Sequence, residues 1–122
     1  MKTCLVVDDS KVVRSVARRI LEEIEFTVSE AEDGQKAMNA CEQEMPDVIL
    51  LDWNMPVMNG LEFLKQVKAD PEFADILVLM VTTEAEKANV IQAIKAGAKN
   101  YVVKPFTAQT LKAKIEQTLG GA

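Results

Sequence analysis

Five short apolar runs divide the 122-residue chain, and each is followed by a stretch with the spacing of an amphipathic helix. The runs lie at about residues 4–7, 27–30, 48–52, 76–81 and 101–103. Regular alternation of strand and helix requires parallel strands joined by helices that cover both faces of the sheet. The sequence therefore predicts a doubly wound α/β fold with five parallel strands and five helices, formed by residues 1–122 as a single domain.

The composition of the runs predicts their places in the sheet. The first, third and fourth are uninterrupted aliphatic segments, as in central strands, whereas Thr27-Val28-Ser29 alternates and suits an edge. Apolar residues at helical spacing predict which helix faces pack on the sheet. These faces are Val13, Ala17, Ile20 and Ile24 behind a Ser10 N-cap; Ala37 and Cys41; Leu61, Leu64 and Val67; Ala88, Ile91 and Ile94; and Leu111, Ile115 and Leu119 behind Thr107.

The composition also excludes several classes of function. The chain has no histidine, so it has neither a Ser-His-Asp triad nor an imidazole zinc site. A net charge of −5 argues against a nucleic-acid surface, and no segment approaches the ~20 apolar residues that span a membrane. Because a strand directly follows Met1-Lys2-Thr3, no room is left for a signal peptide, and we expect a cytoplasmic protein.

Two further residue types call for an interpretation. Cys4 and Cys41 are far apart and lie among apolar neighbours, so we expect reduced core cysteines and not a disulfide or a metal pair. Arg14, Arg18 and Arg19 cluster in the first helix. A solvated helix face is the favoured interpretation of this cluster, with a contact to a partner as the alternative.

Polar residues follow four of the five apolar runs. They are Asp8-Asp9, Asp52, Thr82-Thr83 and Lys104-Pro105. Because parallel strands end at the same edge of a sheet, and ligands bind there in open α/β folds, we expect these groups to share one crevice. Each feature alone is common in turns and helix caps, but their joint placement at four strand ends is specific.

The acids of this crevice predict a metal site and a nucleophile. Carboxylates within ~4–6 Å of each other repel, and a cation relieves the repulsion. Oxygen-only ligands suit Mg²⁺, which needs one or two carboxylates besides water and a phosphoryl oxygen. Asp52 is then the natural nucleophile for a phosphoryl group, with Lys104 and the Thr82 hydroxyl as the groups that bind its other oxygens.

The strings that carry these residues resemble the receiver domain of response regulators over the whole chain. They are VVDDS with Asp8-Asp9, LLDWNMPVMNGLEFL with Asp52, VLMVTTEAEK with Thr82, and YVVKPFT from Tyr101 to Thr107. Residues 48–111 are especially similar to the stand-alone receivers of chemotaxis. The resemblance implies the flavodoxin-like strand order 2-1-3-4-5 and the absence of an output domain.

The resemblance also implies roles for individual residues. Asp52 would be the phosphoacceptor, and Asp8, Asp9, Asp52 and the backbone carbonyl of Asn54 would bind Mg²⁺. Thr82 and Lys104 would grip the phosphoryl group. The peptide bond before Pro105 would be cis.

The implied partners follow from the same resemblance. A histidine kinase would donate the phosphoryl group, a phosphatase could remove it, and the flagellar motor switch is the candidate target. Tyr101 would swing inward when Thr82 moves, and the output surface would consist of Lys87, Ala98, Tyr101, Val102 and Lys114. Asn54 and Glu84 occupy positions that tune the loss of phosphate, and they predict a phosphorylated state lasting seconds to minutes.

Some residues depart from the chemotaxis pattern. Ser10 and Thr83 stand where an aromatic residue and an alanine are common, and residues 35–47 show little specific likeness. A phosphate sink or relay intermediate is therefore kept as an alternative. A haloacid-dehalogenase-type phosphatase is disfavoured because Asn54 stands where its second acid is expected, and a flavodoxin-like cofactor binder because Asp8-Asp9 would repel a phosphate.

Overall fold

The computed structural model describes residues 2–55 and 57–120, and of Glu84 and Lys87 it describes the backbone alone. A five-stranded parallel sheet has the order β2-β1-β3-β4-β5, so the predicted fold class and strand order are confirmed. The elements are β1 Thr3–Val7, α1 Lys11–Glu23, β2 Thr27–Ala31, α2 Gly34–Gln43, β3 Val48–Asp52, α3 Gly60–Ala69, β4 Leu77–Thr82, a 3₁₀ helix Glu84–Asn89, α4 Val90–Lys95, β5 Asn100–Val103 and α5 Ala108–Gly120.

The strand register brings the ends of the central strands to one level. Val7 pairs with Leu51, Asp52 with Val81, and Thr82 with Val103. The residues that follow these pairs therefore leave the sheet at the same edge, as the sequence predicts. We call this edge, where the strands end, the carboxyl rim, and the opposite edge the amino rim.

Alternate residues of the central strands feed two separate cores. Leu5, Ile49 and Leu51 pack with α2 and α3 on one face, while Val6 and Leu50 pack with α1 and α5 on the other. Both faces are covered, which explains why β3 is buried along its whole length. None of the described helices is long and apolar enough to cross a membrane.

The two cysteines lie in different cores. Cys4 packs on the side of α1 and α5, and Cys41 on the side of α2 and α3. Burial raises the pKa of Cys4 to about 12 and that of Cys41 to about 11. Both are free thiols separated by the sheet, so the expectation of reduced core cysteines is confirmed.

Side-chain caps begin the helices at the predicted places. Ser10 Oγ accepts a hydrogen bond from the Val13 amide (3.3 Å), and Thr107 Oγ1 accepts one from the Thr110 amide (3.1 Å). Asn59 and Glu62 form a reciprocal capping box at the start of α3. These caps fix where the chain turns after the β3 and β5 strand ends.

The predicted buried face of the fourth helix was wrong. Ala88, Ile91 and Ile94 keep helical spacing, yet all three are exposed, with Ile91 67% and Ile94 44% accessible. The inward row consists of the small residues Ala93 and Ala96. Residues 84–89 form a 3₁₀ helix, whose tighter turn leaves only six residues of α helix.

Candidate functional site

The Asp8-Asp9 corner connects β1 to α1 at the carboxyl rim. The Asp8 amide donates to the Ala31 carbonyl of β2 (3.1 Å), and Asp8 Oδ1 accepts from the Ser10 amide (2.8 Å). Asp8 is buried, whereas Asp9 is exposed. The corner thus presents one fixed, buried carboxylate and one that faces solvent.

Asp52 ends β3 directly beside this corner. Its side chain is only 2% accessible, although it lies at the end of a strand. Carboxylate oxygens of Asp8, Asp9 and Asp52 all lie within 4.8 Å of one another, a spacing at which three oxygens could hold one metal ion. The structure therefore brings together the three acids that the sequence predicts as metal ligands.

Lys104 enters the same cluster from the end of β5. Its Nζ lies 3.1 Å from Asp52 Oδ1 and 3.4 Å from Asp8 Oδ2. Burial by itself lowers the pKa of Lys104, but the attraction of the two carboxylates outweighs this effect and the pKa is raised. Lys104 is therefore a fixed positive charge beside Asp52.

The electrostatics of the acids show that the cluster is short of positive charge. Burial raises the pKa of Asp52 to about 6, the Asp8 carboxylate adds to the rise, and Lys104 only partly opposes it. Burial also raises the pKa of Asp8, against the opposing effects of the Ser10 amide and Lys104. A cation bound between the acids would lower the cost of keeping both carboxyl groups ionised.

Two buried polar atoms of the site have no hydrogen-bond partner among the described residues. They are Asp52 Oδ1, whose contact with Lys104 is an ion pair without hydrogen-bond geometry, and Thr82 Oγ1. Thr82 ends β4 next to β3 and is fully buried. Buried polar atoms of folded proteins are nearly always satisfied, so these two are the atoms that a bound group would satisfy.

The loop after Asp52 packs tightly against the strand end. A Cβ on Gly60 would lie 2.4 Å from the Asp52 main-chain oxygen, so only glycine fits there. Val57 has a positive φ of 68°, an unfavourable backbone region for a β-branched residue. Asn54 is exposed two residues past Asp52, and the metal-ligand role of its carbonyl stays a prediction.

The other residues of the site lie on the neighbouring loops. The Lys104–Pro105 peptide bond is cis, as the resemblance implies. Thr83 is half-buried, and its amide donates to Glu86 Oε1 (3.1 Å), which ties the start of the 3₁₀ helix to the end of β4.

Only part of the predicted output surface is accessible to solvent. Tyr101 is half-buried on β5, and Lys114 Nζ lies 4.6 Å from the centre of its ring. Ala98 and Val102 are buried, so their inclusion in a contact surface was wrong, because Val102 points to the opposite face of the strand from Tyr101. The side chains of Glu84 and Lys87 lie outside the described part of the chain.

The favoured interpretation of the arginine cluster was wrong for Arg14. Its side chain is 13% accessible, Nη1 donates to the Asp8 main-chain oxygen (2.6 Å), and Nε donates to Glu30 Oε1 (3.0 Å). Of the three, only Arg19 is exposed, whereas Arg14 and Arg18 are partly buried. The i, i+4 spacing of Arg14 and Arg18 was the signal in the sequence, but only the fold shows that Glu30 of β2 lies opposite them.

Comparison with known proteins agrees with this arrangement. Residues 4–116 match the family model described as the response regulator receiver domain. The chain is 48% identical over 118 residues to the chemotaxis protein CheY1 of Helicobacter pylori, covering 95% of each chain. It is equally similar over 118 residues to a chemotaxis protein CheY homolog of Campylobacter jejuni, covering 91% of that protein.

Solved structures with the same fold include receivers that are not named for chemotaxis. Chemotaxis protein CheY4 of Vibrio cholerae aligns with a TM-score of 0.90 at 34% identity, over 97% of this chain and 98% of that one. The receiver domain of NtrX from Brucella abortus aligns with a TM-score of 0.91 at 26% identity, over 98% and 99%. The family match, the identity to curated relatives and the acidic rim agree: this chain belongs to the response regulator receiver domain family.

Proposed function

We propose that the chain is a phosphorylation-controlled signalling switch in which Asp52 accepts a phosphoryl group from a histidine kinase. The observation that carries the proposal is the convergence of Asp8, Asp9, Asp52 and Lys104 on one point of the carboxyl rim. An acid cluster with an adjacent lysine fits an anion that arrives together with a divalent cation. Chemistry at a single acceptor, without turnover of a free substrate, makes it a signalling protein and not an enzyme.

Mg²⁺ is the proposed cofactor, held by Asp8, Asp9, Asp52 and the carbonyl of Asn54. The donor set fits this ion, because three carboxylates within 4.8 Å offer only oxygen ligands. When bound, Mg²⁺ neutralises part of the charge on the acids and on a phosphoryl oxygen. Asp52 Oδ1, which pairs with Lys104 but accepts no hydrogen bond from the described residues, supports a bound group at this point.

In the transfer step a carboxylate oxygen of Asp52 attacks the phosphorus atom of the kinase phosphohistidine. The new bond is O–P, the bond that breaks is N–P, and the leaving imidazole nitrogen takes up a proton. Lys104 stabilises the negative charge on the phosphoryl oxygens, and the Thr82 hydroxyl donates a hydrogen bond to one of them. Asp52 needs no general base because an ionised carboxylate has no proton to lose.

The signal would leave the site through β4 and β5. Thr82 pairs with Val103 in the sheet, and its hydroxyl, which has no hydrogen-bond partner among the described residues, would gain an acceptor in the phosphoryl group. A shift of Thr82 toward this group would free space for Tyr101 to turn inward from under Lys114. Phosphorylation would thus favour one of two states that a partner binds with different affinities.

Chemotaxis is the proposed pathway, with the flagellar motor switch as target and a phosphatase as a further partner. The support is the 48% identity to two proteins named for chemotaxis. The chain aligns with 95% of CheY1, so we propose that residues 1–122 act as a single receiver domain. The cytoplasm is the proposed location. Neither a nucleic acid nor a membrane is part of the proposal.

The experiment adds beryllofluoride or acetyl phosphate with Mg²⁺ while the fluorescence of Trp53 is followed. Trp53 follows Asp52 directly and is half-buried, so it reports on the site. We expect a Mg²⁺-dependent change in the wild type and none in Asp52→Asn. An equal change in both proteins would contradict the assignment of Asp52.

A phosphate sink or relay intermediate is the second candidate, favoured by the similarity to receivers such as NtrX that are not named for chemotaxis. The two roles are distinguished by the affinity for a flagellar switch peptide with and without beryllofluoride. An increase supports the motor role. Unchanged affinity, together with transfer of the phosphoryl group to a second histidine protein, supports the relay.

Phosphatase activity of this chain toward free substrates, or a long-lived phosphorylated form, would each contradict part of the proposal. We expect no turnover of free phosphomonoesters, since Asn54 takes the place of the second acid that a phosphatase needs. The family resemblance at Asn54 and Glu84 supports a phosphorylated state that decays within seconds to minutes. A decay assay on the isolated phosphoprotein measures this lifetime.

A further inference from the structure

We propose that Arg14 is a positioning residue for the metal-binding corner and that Glu30 holds it in place. The inference deepens the proposed function and rests on it, because it assumes that Asp8 and Asp9 bind Mg²⁺. Neither Arg14 nor Glu30 reaches the phosphoryl site. Their effect would be exerted through the main chain of the acidic corner.

The first observation is that both main-chain groups of Asp8 are held. Its N–H donates to the Ala31 carbonyl (3.1 Å), and its carbonyl accepts the short 2.6 Å hydrogen bond from Arg14 Nη1. That carbonyl belongs to the peptide that joins Asp8 to Asp9. The Arg14 bond therefore sets the orientation of the peptide plane from which Asp9 projects.

The second observation is that Asp9 depends on this peptide for its position. Its side chain is exposed, and no hydrogen bond to it is found within the described ranges. Asp8, in contrast, is also held through its side chain by the Ser10 amide and Lys104. Asp9 can keep its carboxylate within 4.8 Å of the other two acids only if the main chain directs it there.

The third observation is that Glu30 fixes Arg14 and offsets its charge. Arg14 Nε bonds Glu30 Oε1 (3.0 Å), and Arg18 Nε bonds Glu30 Oε2 (2.7 Å), so both oxygens are occupied. A planar guanidinium can bond a carboxylate with one nitrogen and a carbonyl with another, which a lysine cannot do. Glu30 thus offsets part of the positive charge that Arg14 brings close to the acidic corner.

Charge and positioning predict opposite effects of removing Arg14. Loss of a positive charge near the acids should, by Coulomb attraction alone, strengthen Mg²⁺ binding. Loss of the contact with the Asp8 carbonyl should release the peptide before Asp9 and so weaken Mg²⁺ binding. The direction of the change therefore decides between the two explanations.

The experiment is a Mg²⁺ titration followed by Trp53 fluorescence in the full chain, with urea unfolding measured in parallel. For Arg14→Met we expect Mg²⁺ binding about 10-fold weaker, the loss typical of residues that orient metal ligands. Arg14→Lys keeps the positive charge but lacks the planar guanidinium, so its Mg²⁺ binding should be weakened similarly. Arg19→Met removes the same charge from an exposed position of the same helix and should stay within about twofold of the wild type.

A second measurement separates positioning from general damage to the site. At saturating Mg²⁺ the fluorescence response of Arg14→Met to beryllofluoride should return, because the acceptor itself is intact. Unchanged or tighter Mg²⁺ binding by Arg14→Met, or a response still lost at saturation, would overturn the inference. If Arg14→Met does not fold, Arg14→Lys decides, because it keeps the positive charge: weaker binding supports the inference, and unchanged binding overturns it.

The proposed function fails in a different way. A wild type that shows no Mg²⁺-dependent fluorescence change would remove the metal site and the inference with it. A wild type that binds Mg²⁺ as tightly as Arg14→Met would remove the inference alone. The two failures are therefore distinguishable in one titration series.

Discussion

Asp47 precedes β3 and Asp52 ends it, and the two aspartates have opposite environments. Asp47, at the amino rim, is exposed and accepts hydrogen bonds from the Thr3 amide (2.8 Å) and hydroxyl (3.3 Å). Asp52, at the carboxyl rim, is buried, has its pKa raised to about 6 by burial, and has an oxygen without a hydrogen bond in the described part of the chain. The same residue type thus stabilises the fold at one end and is held at a cost at the other, where the proposed function requires it.

The largest expected difference concerns phosphoryl acceptance. Asp52→Asn removes the nucleophile and should abolish phosphorylation by acetyl phosphate with Mg²⁺, whereas Asp47→Asn should leave it unchanged because Asp47 lies at the opposite edge. Phosphoprotein gel electrophoresis after incubation measures both. Loss of phosphorylation in Asp47→Asn would contradict the assignment of phosphorylation to the carboxyl rim alone.

The packing of the carboxyl rim predicts the next effect. A methyl group on Gly60 would lie 2.4 Å from the Asp52 main-chain oxygen. Gly60→Ala should therefore displace the strand end, lower the free energy of unfolding by about 1–3 kcal/mol, and weaken Mg²⁺ binding. Gly120→Ala is the matched control, because a Cβ there meets no atom within 4 Å. Equal urea midpoints for the two variants would show that the rim is not tightly packed.

The raised pKa of Asp52 predicts a pH-dependent gain in stability when the charge is removed. Below pH ~4 the carboxyl is protonated in both folded and unfolded chains, so it has no effect. Between about pH 4 and 6 the unfolded chain loses its proton first, which destabilises the fold, and above about pH 6 the penalty is complete. Without Mg²⁺, Asp52→Asn should be more stable by about 1–3 kcal/mol at pH 7.5 and gain little at pH 4.

Asp47 should behave in the opposite way. Asp47→Ala removes the acceptor for the Thr3 amide and should lower the free energy of unfolding by about 1 kcal/mol. Urea unfolding of both aspartate variants at pH 7.5 gives the comparison directly. A stabilising Asp47→Ala or a destabilising Asp52→Asn would mean that the two ends do not differ as described.

The smallest expected effect concerns backbone strain at the two rims. Val57, beside Asp52, and Glu25, in the turn before β2, both have positive φ values (68° and 69°). Because a β-branched side chain tolerates this region less well, Val57→Gly should stabilise by about 1 kcal/mol and more than Glu25→Gly. Thermal unfolding of the two variants measures the difference. A larger gain for Glu25→Gly would contradict this ranking.

Local patterns in the sequence predicted most of the fold and the acids that converge at the carboxyl rim. Strand ends and helix caps depend on a few adjacent residues, so Asp8, Asp52 and Ser10 could be placed without coordinates. Their convergence also followed from the shared edge of parallel strands. The family resemblance added the order of the strands and the cis bond before Pro105.

The errors arose where distant parts of the chain decide the outcome. Ile91 and Ile94 have the spacing of a buried face, but the chain turns the small Ala93 toward the sheet. Arg14 reads as a surface residue until β2 brings Glu30 against α1, a contact across 16 positions. Residue spacing could not show either result. Which face of a helix is buried, and which strand lies opposite it, depend on how distant parts of the chain pack together.

Asp52 is the residue that we propose to carry the phosphoryl group. The direct measurement incubates the protein with acetyl phosphate and Mg²⁺, reduces the acyl phosphate with borohydride, and locates the resulting homoserine by tandem mass spectrometry. We predict homoserine at position 52, dependent on Mg²⁺ and absent from Asp52→Asn. Homoserine at another aspartate, or none at any position in the presence of Mg²⁺, would contradict the account.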